Sequence, residues 1–156
     1  MAMSEHKTTA ERGIIIDGKK TARRLRQSIA HHVEVLVADH KIMPGLAVVL
    51  VGDAPASQIY VASKEKLAVA AGMRSYVHRL PKNTSQDALL ELLRKLNKDK
   101  KVHGILVQMP LPKQIDTATI LRAIDPAKDV DGLHIENVGR LASGLPGLVP
   151  CTPLGC

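Results

Sequence analysis

The side chains in this chain that could most directly do chemistry are Tyr60 and Lys64, in the stretch Ser57-Gln58-Ile59-Tyr60-Val61-Ala62-Ser63-Lys64. On a helix, residues at i and i+4 lie one turn apart on one face, so a phenol and an amine would stand side by side. The phenol offers a flat ring, and the amine can carry or accept a proton. The same spacing also suits a tyrosine packed on the core beside a solvated lysine, and spacing alone does not choose between the two. Gln108 is the first polar side chain after an apolar run and precedes Met109-Pro110-Leu111-Pro112, where two prolines stiffen the chain. It is either a directed amide or a surface residue closing a turn. Lys128-Asp129-Val130-Asp131-Gly132 brings two carboxylates close together beside a glycine, as a turn, a cap or a ligand contact. No metal triad is visible in the sequence.

Leu46 to Val51 is nearly uninterrupted aliphatic, the pattern of a strand buried on both faces of a parallel sheet. Gly52-Asp53-Ala54-Pro55-Ala56 then reads as a turn, Ser57 as the N-cap of the Tyr60–Lys64 helix, and Gly72 as its stop. Upstream, Ile14-Ile15-Ile16 reads as a short strand. Leu25, Ile29, Val33, Leu36 and Val37 recur at helical spacing between Lys20 and His40, predicting an amphipathic helix packed on the sheet and broken by Pro44-Gly45. His31 and His32 are adjacent and point in different directions, so exposure is their default. Downstream, Arg74 to Leu80 is a second, less buried strand, and a turn ending at Ser85 can cap a helix carrying Leu89, Leu90, Leu92, Leu93 and Leu96. Val102 to Gln108 is a third strand, and Asp116 can cap a helix over Thr117 to Ile124 with Ile120 and Leu121 inward. Strands alternating with helices predict an α/β fold of three layers, α/β/α, with a mostly parallel sheet. In such sheets ligands gather at the carboxyl ends of strands. Val51 leads into the Tyr60–Lys64 helix, and Val107 leads into Gln108.

The domain reading that follows is a flexible N-terminus over 1–12, one domain over 13–142, and a Gly- and Pro-rich linker over 143–156 that ends without a closing element. The 156 residues contain no Trp, no Phe and two Tyr, so the core must be aliphatic. Tyr76 reads as core, and His78 and His103 as structural. Lys plus Arg is 22 against 15 for Asp plus Glu, a net +7 that favours anionic partners. The lack of aromatic residues for base stacking argues against nucleic acid. Cys151 and Cys156 have neither a Cys-x-x-Cys spacing nor a His pair placed to complete a zinc site, and they read as reduced thiols of a cytoplasmic protein, with Cys151 packed. No secretory or membrane-length apolar segment occurs.

Five ordered segments go beyond these generalities: Tyr60-Val61-x-x-Lys64, Gly104-Ile105-Leu106-Val107-Gln108-Met109-Pro110-Leu111-Pro112, Lys128-Asp129-Val130-Asp131-Gly132, Asn137-x-Gly139-Arg140-Leu141 and Pro150-Cys151-Thr152-Pro153-x-Gly155. Together they resemble the methylenetetrahydrofolate dehydrogenase/methenyltetrahydrofolate cyclohydrolase family, from about Ile14 to the last residue. The resemblance implies a bifunctional enzyme that oxidises 5,10-methylenetetrahydrofolate to the methenyl form with NADP, or NAD in some members, and then hydrolyses it to 10-formyltetrahydrofolate.

It further implies a role for each matching residue. Tyr60 would stack on the pterin, and Lys64 would handle protons in the hydrolytic step. Gln108 would hold and tune the lysine, Asp131 would accept hydrogen bonds from the pterin edge, and Asp129 would shape the turn presenting it. Val61, Ala62, Ser63, Val107 and Met109 would complete the substrate-binding set. A free lysine titrates near pH 10.4, so the proton-handling role needs surroundings that make the neutral amine accessible. The family's dinucleotide-binding domain would follow residue 153, and no Gly-x-Gly-x-x-Gly occurs in the chain. The expectation is therefore the catalytic half alone, without a cofactor-binding residue and inactive as a dehydrogenase by itself. Complete family members are usually homodimers. The competing readings are a folate-binding module without catalysis and a basic nucleic-acid-binding domain, the latter recognisable by a steep fall in affinity with salt.

Overall fold

The computed structural model describes residues 16–155. The predicted strand over Ile14–Ile16 and the predicted flexible N-terminus fall almost wholly outside that range, and the one described member, Ile16, lies in no strand and is exposed. The first element is helix α1, Gly18–His40, capped by Asp17, whose carboxylate accepts from Lys20 N at 2.9 Å. It ends at Lys41, which takes the left-handed conformation with φ 57°, so the stop comes before Pro44-Gly45. There follow strand β1 (Gly45–Val51), helix α2 (Pro55–Ala70), β2 (Arg74–Leu80), α3 (Gln86–Lys98), β3 (Gly104–Val107), α4 (Thr117–Ala123), α5 (Ile135–Ala142) and the short α6 (Cys151–Gly155).

The three strands form a parallel sheet in the order β2-β1-β3, and the aliphatic β1 is its centre. Side chains alternate across a strand, so β1 feeds both faces. Ala47, Val49 and Val51 pack with Leu89, Leu93 and Leu96 of α3 and with Ile120 and Ile124 at α4. Val48 and Leu50 pack on the other side with Val61 of α2 and Leu106. This is the predicted three-layer arrangement. Ser85 and Asp116 cap α3 and α4 as expected, accepting from Ala88 N at 3.2 Å and Thr119 N at 2.8 Å. Tyr76 packs against the α3-side core. His103 is structural, its Nδ1 accepting from Gly45 N at 3.1 Å.

Several expectations are corrected. Ser57 is not the N-cap of α2: Pro55 takes the first turn, where its missing N–H costs nothing, and Ser57 is carried inside the helix and buried. Helix α1 does not lie on the sheet. Val33 is its one buried residue among those described and sits against the turn at Gly72, while Leu25 is 61% exposed. Helix α5 forms at the end of the predicted domain, where no element was predicted, capped by His134 Nδ1 and centred on buried Asn137. Within the predicted linker, Cys151–Gly155 is helical, and Cys151 is exposed rather than packed.

Candidate active site

The site lies at the carboxyl edge of the sheet, where register decides which side chains can meet. Val49 of β1 pairs with Val107 of β3, and Gln108 N donates to Val49 O at 2.8 Å. Gln108 is thereby held beside the end of β1, and β1 continues through a short turn into α2. Lys64, on the third turn of that helix, reaches across: its Nζ donates to Gln108 Oε1 at 3.0 Å. The amide cannot turn over freely, because Gln108 Nε2 donates to Met109 O at 2.9 Å. The carbonyl oxygen of Gln108 is therefore the atom offered to the lysine. Both side chains are part-buried.

Tyr60 is 62% exposed, one helical turn before Lys64. A tyrosine with that exposure is not a core residue, so the phenol ring is free to present a flat face. The alternative of a packed tyrosine beside a solvated lysine fails on both residues.

Asp131 stands in the turn after the short bridge between Ile105 and Asp129. Burial pushes its carboxyl above the ordinary aspartate range. The positive charge of Lys64 opposes that rise, and the negative charge of Asp129 adds to it. Asp131 is thus close enough to feel the lysine. The hydrogen bonds of the turn go to Asp129, which is 1% exposed and whose Oδ2 accepts from His134 N at 2.7 Å and Asn137 Nδ2 at 3.0 Å. A basic group, an amide, an exposed ring and a half-buried carboxyl from three separate segments are brought to one region. Such a set can hold a flat heterocycle by one edge and one face while an amine moves a proton beside it.

Two members of the expected substrate-binding set are placed elsewhere. Val61 is fully buried and Val107 is 3% exposed, both in the core beneath the site, so their side chains cannot line a ligand wall. Met109 is part-buried against the α3-side core, and Ala62 and Ser63 lie on the exposed side of α2. Asn137 received no role from its residue type, and only its burial beside Asp129 reveals one. Two clefts of about 220 and 270 Å³ lie between α1 and α2 and beside α5, and neither includes Lys64, Gln108 or Asp131.

Among the described residues no group of His, Cys, Asp or Glu side chains could hold a metal ion. The β1–α2 turn, the natural phosphate cradle of an α/β sheet, places Asp53 and Pro55 where a diphosphate needs free N–H donors. No helix among those described is long and apolar enough to cross a membrane.

Residues 16–131 match the family described as tetrahydrofolate dehydrogenase/cyclohydrolase, catalytic domain. The chain is 61% identical over 142 residues to the bifunctional protein FolD of Phenylobacterium zucineum, covering 91% of this chain and 48% of that protein. A similar match, 59% over 143 residues, is found to FolD of Zymomonas mobilis, again covering 48% of the relative. Among solved structures, the bifunctional FolD of Campylobacter jejuni superposes with a TM-score of 0.87 at 47% identity, over 89% of this chain and 49% of that one. The Trypanosoma brucei enzyme, solved with NADP cofactor and inhibitor, gives 0.85 at 37% identity, over 89% of this chain and 48% of that one. The chain therefore spans about half the length of these relatives. With its parallel sheet, its ordered motifs and this match over most of its length, the chain belongs to the tetrahydrofolate dehydrogenase/cyclohydrolase family, as its catalytic domain.

Proposed function

We propose that this chain is the folate-binding, catalytic half of an enzyme that oxidises 5,10-methylenetetrahydrofolate to 5,10-methenyltetrahydrofolate and hydrolyses the product to 10-formyltetrahydrofolate. The observation that carries the reading is the 3.0 Å bond from Lys64 Nζ to Gln108 Oε1, between residues 44 apart in sequence. An amine held in that way, next to an exposed ring and a half-buried carboxyl, suits the hydrolytic step. Water adds to the cationic carbon of the methenyl bridge, the bond from that carbon to N5 breaks, and the formyl group stays on N10. Of the two protons of water, one ends on N5 and the other is released. Lys64 takes the first as water adds and delivers a proton to N5 as the bridge opens. Gln108 keeps the amine aimed through this exchange. Tyr60 supplies the face on which the pterin lies, and Asp131 accepts from the pterin's amino and ring N–H edge.

The oxidative step sends a hydride to a nicotinamide cofactor, NADP by this reading, and no part of that step is assigned to the described residues. The same reading places the protein in the cytoplasm, makes the complete enzyme a homodimer, and gives it neither nucleic acid nor membrane as a partner. The test is the hydrolysis of 5,10-methenyltetrahydrofolate by wild type and Lys64→Met. Wild type should exceed the spontaneous rate and Lys64→Met should fall to it, a loss of about 100-fold or more for a positioned acid–base group. Equal rates for the two proteins would defeat the assignment.

A further inference from the structure

The turn that carries Asp131 is organised by a buried carboxylate–amide pair with no chemistry of its own to do. Asp129 is 1% exposed and Asn137 is 4% exposed. Asn137 Nδ2 donates to Asp129 Oδ2 at 3.0 Å and to Pro126 O at 2.9 Å, which uses both hydrogens of the amide. Asp129 Oδ2 also accepts from His134 N at 2.7 Å, and Gly132 N donates to Asp129 O at 3.1 Å. One carboxylate and one amide thus tie the chain on both sides of Asp131. The turn is in turn fixed to the sheet by Ile105 N, which donates to Lys128 O at 2.7 Å. It is fixed to α3 by Lys128 Nζ, which donates to the carbonyls of Leu96, Asn97 and Asp99 at 3.1, 2.7 and 2.9 Å.

Burying a carboxylate is costly unless it is hydrogen-bonded, and apolar residues would fill the same space at less cost. What a fully satisfied polar pair adds is a single geometry. Asp131, in the same turn, is half-buried and near enough to Lys64 to feel its charge. We propose that Asp129 and Asn137 are positioning residues: they hold the Asp131 carboxyl where it can meet the substrate beside Lys64, and so set substrate affinity without touching the substrate. The inference rests on the folate reading above. The lysine arm is anchored separately, through α2 and the end of β3, so loosening the pair changes binding and leaves proton transfer alone.

The test is calorimetric titration of the 156-residue chain with tetrahydrofolate, for wild type, Asn137→Ala, Asp131→Ala, the double variant and Asp129→Asn. Asn137→Ala should weaken binding about tenfold, since it strips hydrogen bonds from a buried carboxylate and a part-buried carbonyl. In the Asp131→Ala background the same change should cost less than about twofold, because groups acting through one another are not additive. Asp129→Asn keeps the shape and an oxygen that can accept from both His134 N and Asn137 Nδ2, but removes the charge that strengthens both bonds. It should fold and bind more weakly than wild type, and it replaces Asn137→Ala in the cycle if that variant does not fold. At saturating methenyltetrahydrofolate, the turnover of Asn137→Ala and of Asp129→Asn should stay within about twofold of wild type.

Wild-type affinity in both variants, additive losses, or a fall in turnover at unchanged affinity would each overturn the proposal. Failure of wild type itself to bind tetrahydrofolate would overturn the folate reading and this inference with it.

Discussion

Gln108→Ala isolates the contact on which the hydrolytic reading turns. The substitution removes the acceptor 3.0 Å from Lys64 Nζ and leaves the lysine in place. A hydrogen bond to a charged group contributes about 1.5–3 kcal/mol. Both partners here are open to water on one side, which brings the expected loss to about 1–1.5 kcal/mol. With about 1.36 kcal/mol per factor of ten in rate, that is about a five- to thirteenfold fall in the hydrolytic rate above background. The bond from Gln108 Nε2 to Met109 O is local and neutral, so its loss should cost the fold about 1 kcal/mol or less. The assay is loss of the methenyl chromophore under saturating substrate, with the uncatalysed rate subtracted, alongside thermal unfolding. If Gln108 acts by holding the lysine, kcat falls and KM stays near wild type. An unchanged kcat, or a loss confined to KM, would refute the reasoning and make Gln108 a substrate contact.

Two further outcomes follow from the Asp131 turn. Burial holds the Asp131 carboxyl above its ordinary value of 3.8, so the folded state binds its proton more tightly than the unfolded chain does. Its contribution to stability therefore falls as pH rises through that interval. Asp131→Asn, which carries no charge, should melt higher than wild type at neutral pH, and the gain should vanish below the ordinary value, while folate binding is lost. A lower melting temperature at neutral pH would sink this account. Gly104→Ala should loosen the same turn from the sheet side, because the added Cβ would stand 2.5 Å from Val130 Cγ1 and 3.4 Å from Leu46 Cδ1. The expected destabilisation is about 1–3 kcal/mol by denaturant titration, with weakened tetrahydrofolate binding. Unchanged stability and affinity would mean that Val130 moves without carrying Asp131.

Local chemistry made most of the scaffold legible in the sequence. The aliphatic run of β1, the span of β2, the leucine spacing of α3 and the caps at Ser85 and Asp116 are each decided by a few neighbouring residues. Where local signals competed or were short, reading failed. Pro55 outcompetes Ser57 for the start of α2, and α5 is eight residues long with Gly139 inside it, held by the buried contacts of Asn137. The ordered motifs named Tyr60, Lys64, Gln108 and Asp131, but adjacency misplaced Val61 and Val107. A residue next to a site residue on a helix or strand points elsewhere, and these two point into the core. That Lys64 meets Gln108 depends on the Val49–Val107 register of the parallel sheet. The charge felt by Asp131 depends on burial and on two neighbours, one of them distant in sequence. The sequence by itself determined which chemical groups are available. Sheet register and burial, which arise only when distant segments pack, decided which of them stand together.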